Sequence, residues 1–114
     1  MEIPLSKFRR RATLGSRGAI HIDDDEGVLP LHAELIAGRR GGAANVILRA
    51  LDGEVWVTRR KSRWLLTYGN SWDLIDGDTF QIGRHIFKYQ NLNEFDGHPG
   101  VNDDVRRAVT WLKQ

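Results

Sequence analysis

The sequence predicts an all-β fold, an antiparallel β-sandwich followed by a short C-terminal α-helix. Three observations carry that expectation. Apolar residues alternate with polar ones in short runs separated by glycine-containing turns. No helical period occurs before Val101. A chain of 114 residues with 40% hydrophobic content can build one core but not two.

Taken in order, residues 1–7 read as a flexible leader, and Phe8–Leu14 opens a series of strands. In Ala19–Ile22, Ile20 and Ile22 take one face and His21 the other. Ala33, Leu35 and Ala37 share a face opposed by Glu34 and Ile36. The stretch Gly38-Arg39-Arg40-Gly41-Gly42 reads as a hairpin tip. It lacks the Lys-Ser/Thr and the helix that follow a phosphate-cradling loop. Val46–Leu51 is apolar apart from Arg49. Asp52-Gly53 then predicts a hairpin back into Glu54–Thr58, because the pair tolerates the positive φ of a type I′ turn. There Val55 and Val57 face one way and Trp56 the other. Trp64–Tyr68, Thr79–Ile82 and His85–Tyr89 complete the set, punctuated by Gly69, Asp76-Gly77 and Gly83.

The sandwich is expected to span 8–92, with linker and helix over 93–114. Residues 93–100 hold two glycines and Pro99, a linker composition. Val101, Val105, Ala108, Val109 and Leu112 fall on one helical stripe. Asn102 can cap it, Asp103 and Asp104 suit its positive end, and Lys113 suits the other.

Several function classes are disfavoured at once. Without cysteine there is no disulfide framework and no thiolate metal site, and a cytoplasmic location is the expectation. No apolar run approaches a membrane span, and Met1–Arg11 lacks the apolar centre of a signal peptide. His21, His32, His85 and His98 are scattered without metal-ligand spacing. The acidic run Asp23–Glu26 lacks the spaced ligands and glycine of a calcium loop and reads as a solvated loop. No Ser or Lys sits in a nucleophile motif. The expectation is a non-catalytic protein with no cofactor and no metal.

Basic residues group at Lys7, Arg9, Arg10 and Arg11, at Arg39-Arg40, and at Arg59, Arg60, Lys61 and Arg63. Gathered beside Trp56 or Trp64 they would form a surface for nucleic acid. A net charge of +2 favours solvated turns instead.

Four short segments, in this order, share a further pattern. They are Leu14-Gly15-Ser16, Val28-Leu29-Pro30-Leu31-His32-Ala33-Glu34-Leu35, Asp76-Gly77-Asp78-Thr79-Phe80-Gln81-Ile82-Gly83, and His85–Tyr89. Together, over residues 8–92, they resemble a forkhead-associated (FHA) domain. The resemblance implies that His32 fixes the recognition loops, that Gly15 and Gly77 serve tight turns, and that Asp78 belongs to the retained Asp-Gly-Asp segment. The family reads phosphothreonine through an Arg after the first Gly, a Ser-Arg before the His, and an Asn-Gly-Thr turn. This chain departs at all three. Ser16 stands at the first position, with Arg17 one place late, and Leu29-Pro30 at the second. For the third, Ser62-Arg63-Trp64 offers a serine but no Asn-Gly-Thr. Leucine neither donates a hydrogen bond to phosphate nor neutralises it. The implied function is a protein–protein interaction module, a degenerate FHA domain independent of phosphothreonine. Its partner-binding loops would carry Ser16, Arg17, Leu29, Pro30, Leu31, Ser62, Arg63 and Trp64. Two alternatives stand beside it. Arg17, Ser62 and Arg63 could be repositioned around a phosphothreonine, or the basic hairpins could bind nucleic acid. The expected partner is a protein and not a membrane, and the resemblance implies a piece of a longer multidomain protein.

Overall fold

The structure is a computed structural model. It describes residues 1–5, 8, 10–23, 26–40, 43–91 and 107–113. Every element among them is a strand: β1 (Glu2–Pro4), β2 (Arg11–Gly15), β3 (Ile20–His21), β4 (Ala33–Arg40), β5 (Ala43–Ala50), β6 (Val55–Arg59), β7 (Ser62–Leu66), β8 (Ser71–Leu74), β9 (Thr79–Ile82), β10 (His85–Asn91) and β11 (Arg107–Lys113). They form a six-stranded sheet in the order β1-β11-β10-β9-β6-β7 and a five-stranded sheet in the order β3-β2-β4-β5-β8. Neighbours are antiparallel except β2 and β3, which pair in parallel.

One hydrophobic cluster draws on both sheets. The first contributes Val55, Val57, Phe80, Ile82, Phe87, Tyr89 and Val109, and the second Ala12, Leu14, Ala33, Leu35, Val46, Leu48 and Leu74. Phe80 and Phe87 stack with centroids 5.2 Å apart. The period-two alternation explains these choices. Val55 and Val57 are buried while Trp56 between them is exposed, and Ile20 is buried while His21 is not.

Three sequence expectations are corrected here. The predicted C-terminal helix is replaced over Arg107–Lys113 by β11, which lies between β10 and β1. Positions 101–106 lie outside the described residues, as does the whole of the predicted linker, 93–100. The helical stripe loses because a short isolated helix is marginal, whereas Val109, Thr110 and Trp111 fit a pleated surface with a neighbour on each side. The expected leader is also partly structured. Glu2–Pro4 pairs with β11 through Glu2↔Thr110, Ile3↔Val109 and Pro4↔Ala108, and Ile3 and Leu5 pack on the core. Finally, Asp52-Gly53 does not close a hairpin. β5 belongs to the five-stranded sheet and β6 to the six-stranded one, so Leu51–Glu54 crosses between sheets.

β6 turns back into β7 through Arg60-Lys61. Arg60 holds φ at +57°, alone among the described non-glycine residues. That region costs an L-residue about 1–2 kcal/mol, part of which glycine recovers against its greater chain entropy. Arg60→Gly is expected to stabilise the fold by up to ~1 kcal/mol, read as a higher denaturant midpoint at unchanged slope.

Candidate functional site

One end of the molecule gathers the connections β2–β3, β3–β4, β5–β6 and β9–β10 around His32. The His32 backbone is used fully: its N–H donates to the Leu14 carbonyl at 2.9 Å, and its carbonyl accepts from Leu51 at 3.0 Å and Gly53 at 3.2 Å. The ring is used as well. Leu29 N–H donates to Nδ1 at 3.1 Å, which leaves Nε2–H to donate to the Glu54 carbonyl at 2.7 Å. One buried imidazole therefore ties the β3–β4 loop to the β5–β6 crossing. Gly53 makes room for it, since a Cβ at that position would run into the ring.

The β2–β3 turn is locked to the same loop. Ser16 N–H donates to the Leu29 carbonyl and Arg17 N–H to the Pro30 carbonyl, at 3.2 and 3.0 Å. Gly15 holds φ at +153°, and a Cβ there would meet the Leu29 and Pro30 carbonyl oxygens. His21 Nδ1–H donates to the Ser16 carbonyl at 3.0 Å. The resulting rim presents Leu29 and Leu31 to solvent, 40% and 43% exposed. Ser16, Arg17, Leu29, Pro30 and Leu31 thus lie on two loops joined by backbone hydrogen bonds.

Ser62, Arg63 and Trp64 do not join them. They lie in β7, and Ser62 pairs with Arg59 at the far end of β6, whereas Val55 at the near end follows Glu54. Four strand steps, roughly 13 Å, separate those ends. Arg63 instead covers the Trp56 ring at 4.2 Å and donates to Gln81 at 3.4 Å. Trp64 lies on Trp72 with centroids 4.8 Å apart. The stretch beside His32 is Asp52-Gly53-Glu54. Sequence reasoning missed it because its Asp-Gly pair reads locally as a hairpin. A groove of about 430 Å³ opens here, lined by Leu29, His32, Asp52, Glu54, Trp56 and Gln81 among others.

The charge at this end is unfavourable to phosphate. Asp23, Glu26, Asp52 and Glu54 are exposed around it, against Arg17 and Arg84. Each carboxylate about 4 Å from a phosphate costs roughly 1 kcal/mol per unit charge pair even in water. Several cations elsewhere are already engaged. Arg11 and Arg49 face the buried Glu34 carboxylate at 3.1 and 3.9 Å.

Asp78, buried to 1% exposure, is the hub of the opposite end. Its carboxylate accepts from Arg59 Nε at 2.9 Å and Nη2 at 2.8 Å, from Ile75 N–H at 2.9 Å, and from Trp72 Nε1–H at 3.3 Å. Arg59 belongs to one sheet and Trp72 to the other, so a single carboxylate staples them. The hydrogen bond to Asp78 raises the Arg59 pKa above its ordinary value, with burial opposing. Gly77 beside it takes φ of +92° in the β8–β9 turn.

Among the described residues no group of three or more His, Asp or Glu is placed to hold a metal ion. Among the same residues no helix is long and apolar enough to cross a membrane. The chain matches no protein-family model and no curated protein.

Proposed function

We propose that the chain is a degenerate FHA-type β-sandwich, a non-catalytic cytoplasmic module that binds a protein partner without phosphothreonine. The observation that supports this reading is the loop end itself. His32 and its hydrogen bonds hold three connections in one arrangement, yet the rim they present is Leu29, Pro30 and Leu31. A preorganised rim binds at lower entropic cost than a loose one. An apolar rim beside carboxylates suits an apolar partner surface with basic residues and not a dianion. The sandwich itself is supported by two sheets that share one hydrophobic cluster.

The phosphothreonine alternative loses support from the placement of Ser62 and Arg63 in β7, where Arg63 is already engaged with Trp56 and Gln81. Full burial of a leucine is worth ~1.5–3 kcal/mol, so Leu29→Asp is expected to weaken partner capture at least about tenfold. Both affinity capture from lysate of the source organism and thermal unfolding check this, with the melting temperature expected to hold. Capture that survives Leu29→Asp and Leu31→Asp unchanged removes the rim as the binding surface. Capture abolished by phosphatase treatment of the lysate removes the phosphate independence.

A further inference from the structure

The two sheets have four edge strands, and three of them are blunted. β1 is three residues long and ends in Pro4. β3 is two residues long. β8 has four residues, and Arg59 Nη2 donates to its Asp73 carbonyl at 2.8 Å. Shortness, proline and an occupied backbone acceptor close an edge outright, whereas charged side chains, another usual protection, select what pairs with it. β7 has only the last, in Arg63 and the preceding Arg60-Lys61. It runs five residues without proline or glycine, keeps continuous register with β6 from Ser62 to Leu66, and leaves Ser62, Arg63, Trp64 and Leu65 exposed. Among the described residues it makes no backbone hydrogen bond beyond β6.

Its charge is one-sided. Arg60, Lys61 and Arg63 are exposed at its beginning, and none has an acidic partner among the described residues. Further along, Trp64 and Leu65 are 41% and 38% exposed, and Trp56 lies on the adjacent strand. We propose that β7 is a strand-addition site for an extended peptide segment of a partner protein, apolar along Trp64–Leu65 and acidic beside Arg60–Arg63. Backbone hydrogen bonds to the free edge supply affinity, and the cation cluster against peptide carboxylates sets which peptide and which direction. This proposal rests on the β7 edge and not on the Leu29–Leu31 rim, and stands whether or not the rim binds a partner.

Two synthetic ten-residue peptides test it, both alternating valine with a charged residue, one with glutamate and one with lysine. The readout is amide hydrogen exchange of the intact protein. With the glutamate peptide, the amides of residues 62–66 are expected to exchange at least about tenfold more slowly, with no change at the His32 loops. With the lysine peptide no protection is expected. Lys61→Glu/Arg63→Glu, which alters only exposed side chains, is expected to reverse that preference. Absent protection with both peptides, or equal protection with both, overturns the proposal. Protection of β7 that grows with protein concentration alone assigns the edge to a second copy of the chain and overturns it equally.

Discussion

Asp78→Ala is expected to cost about 2–4 kcal/mol, the scale for leaving more than one donor without its buried acceptor while the partly exposed Arg59 stays solvated. The loss falls on several groups at once. Arg59 keeps a charge whose two bonds to the carboxylate, at 2.8 and 2.9 Å, have gone. Ile75 N–H and Trp72 Nε1–H lose their acceptor in a space that the smaller alanine leaves unfilled. Domains of this size hold only ~5–15 kcal/mol in all, so the variant is expected to lose a large fraction of its stability. A urea melt followed by tryptophan fluorescence suits the measurement, because Trp72 and its neighbour Trp64 report on the same junction. Arg59→Met on the Asp78→Ala background removes the stranded charge, and is expected to recover part of the loss. The recovery stays incomplete because the Ile75 amide remains orphaned. An Asp78→Ala variant as stable as the parent would mean that the carboxylate does not join the sheets.

The reach of sequence reasoning follows the range of the interactions involved. Alternation was legible wherever one face of a strand meets the core and the other meets water. Val55-Trp56-Val57 is such a case, as are the buried Phe80 and Ile82 of β9. Where the fold depended on distant partners, local signals misled. Ala108, Val109 and Leu112 have helical spacing, but β1 and β10 lie on either side of them, more than a hundred and about twenty residues away along the chain. The Asp52-Gly53 pair has hairpin chemistry, yet its flanking strands go to different sheets, a decision made by β8 and β9. Arg60-Lys61, which does turn, carries no turn residue at all and was invisible for that reason. Glu34, on the strand face opposite Ala33 and Leu35, is nonetheless buried, because Arg11 and Arg49 close over its carboxylate.

The candidate site divides the same way. The rim residues Ser16, Arg17, Leu29, Pro30 and Leu31 are grouped in the sequence only through the family resemblance, and in the structure backbone hydrogen bonds join their two loops. The third element of the end was not. Nothing near Ser62 marks it as a strand remote from His32, and nothing near Asp52 marks it as the neighbour. The signal that could have found it is steric: an imidazole held between two loops needs a residue without a side chain beneath it, and Gly53 follows the β5 run directly.

That steric fit leads to the second large effect. His32→Ala is expected to cost about 2–3 kcal/mol, since Leu29 N–H and the Glu54 carbonyl lose their partners and the buried ring leaves a void. Gly53→Ala acts on the same ring from the other side. Its φ lies outside the left-handed region, so the backbone accepts alanine, and the cost comes from the Cβ meeting the imidazole. Displacing the ring breaks the two bonds that His32→Ala removes, so overpacking here should cost ~1–3 kcal/mol. The two substitutions are therefore expected to be non-additive. Once His32 is alanine the Cβ at position 53 enters vacated space, and the coupling energy of the double-mutant cycle should reach about 1–2 kcal/mol. Equilibrium urea unfolding of the four proteins measures it. Hydrogen exchange separates this local clamp from a general core defect, because in His32→Ala the amides of residues 29, 31, 32 and 51–54 should lose more protection than those of β9 and β10. Additive costs would mean that Gly53 is not there to seat the imidazole, and the preorganised rim would lose its physical basis.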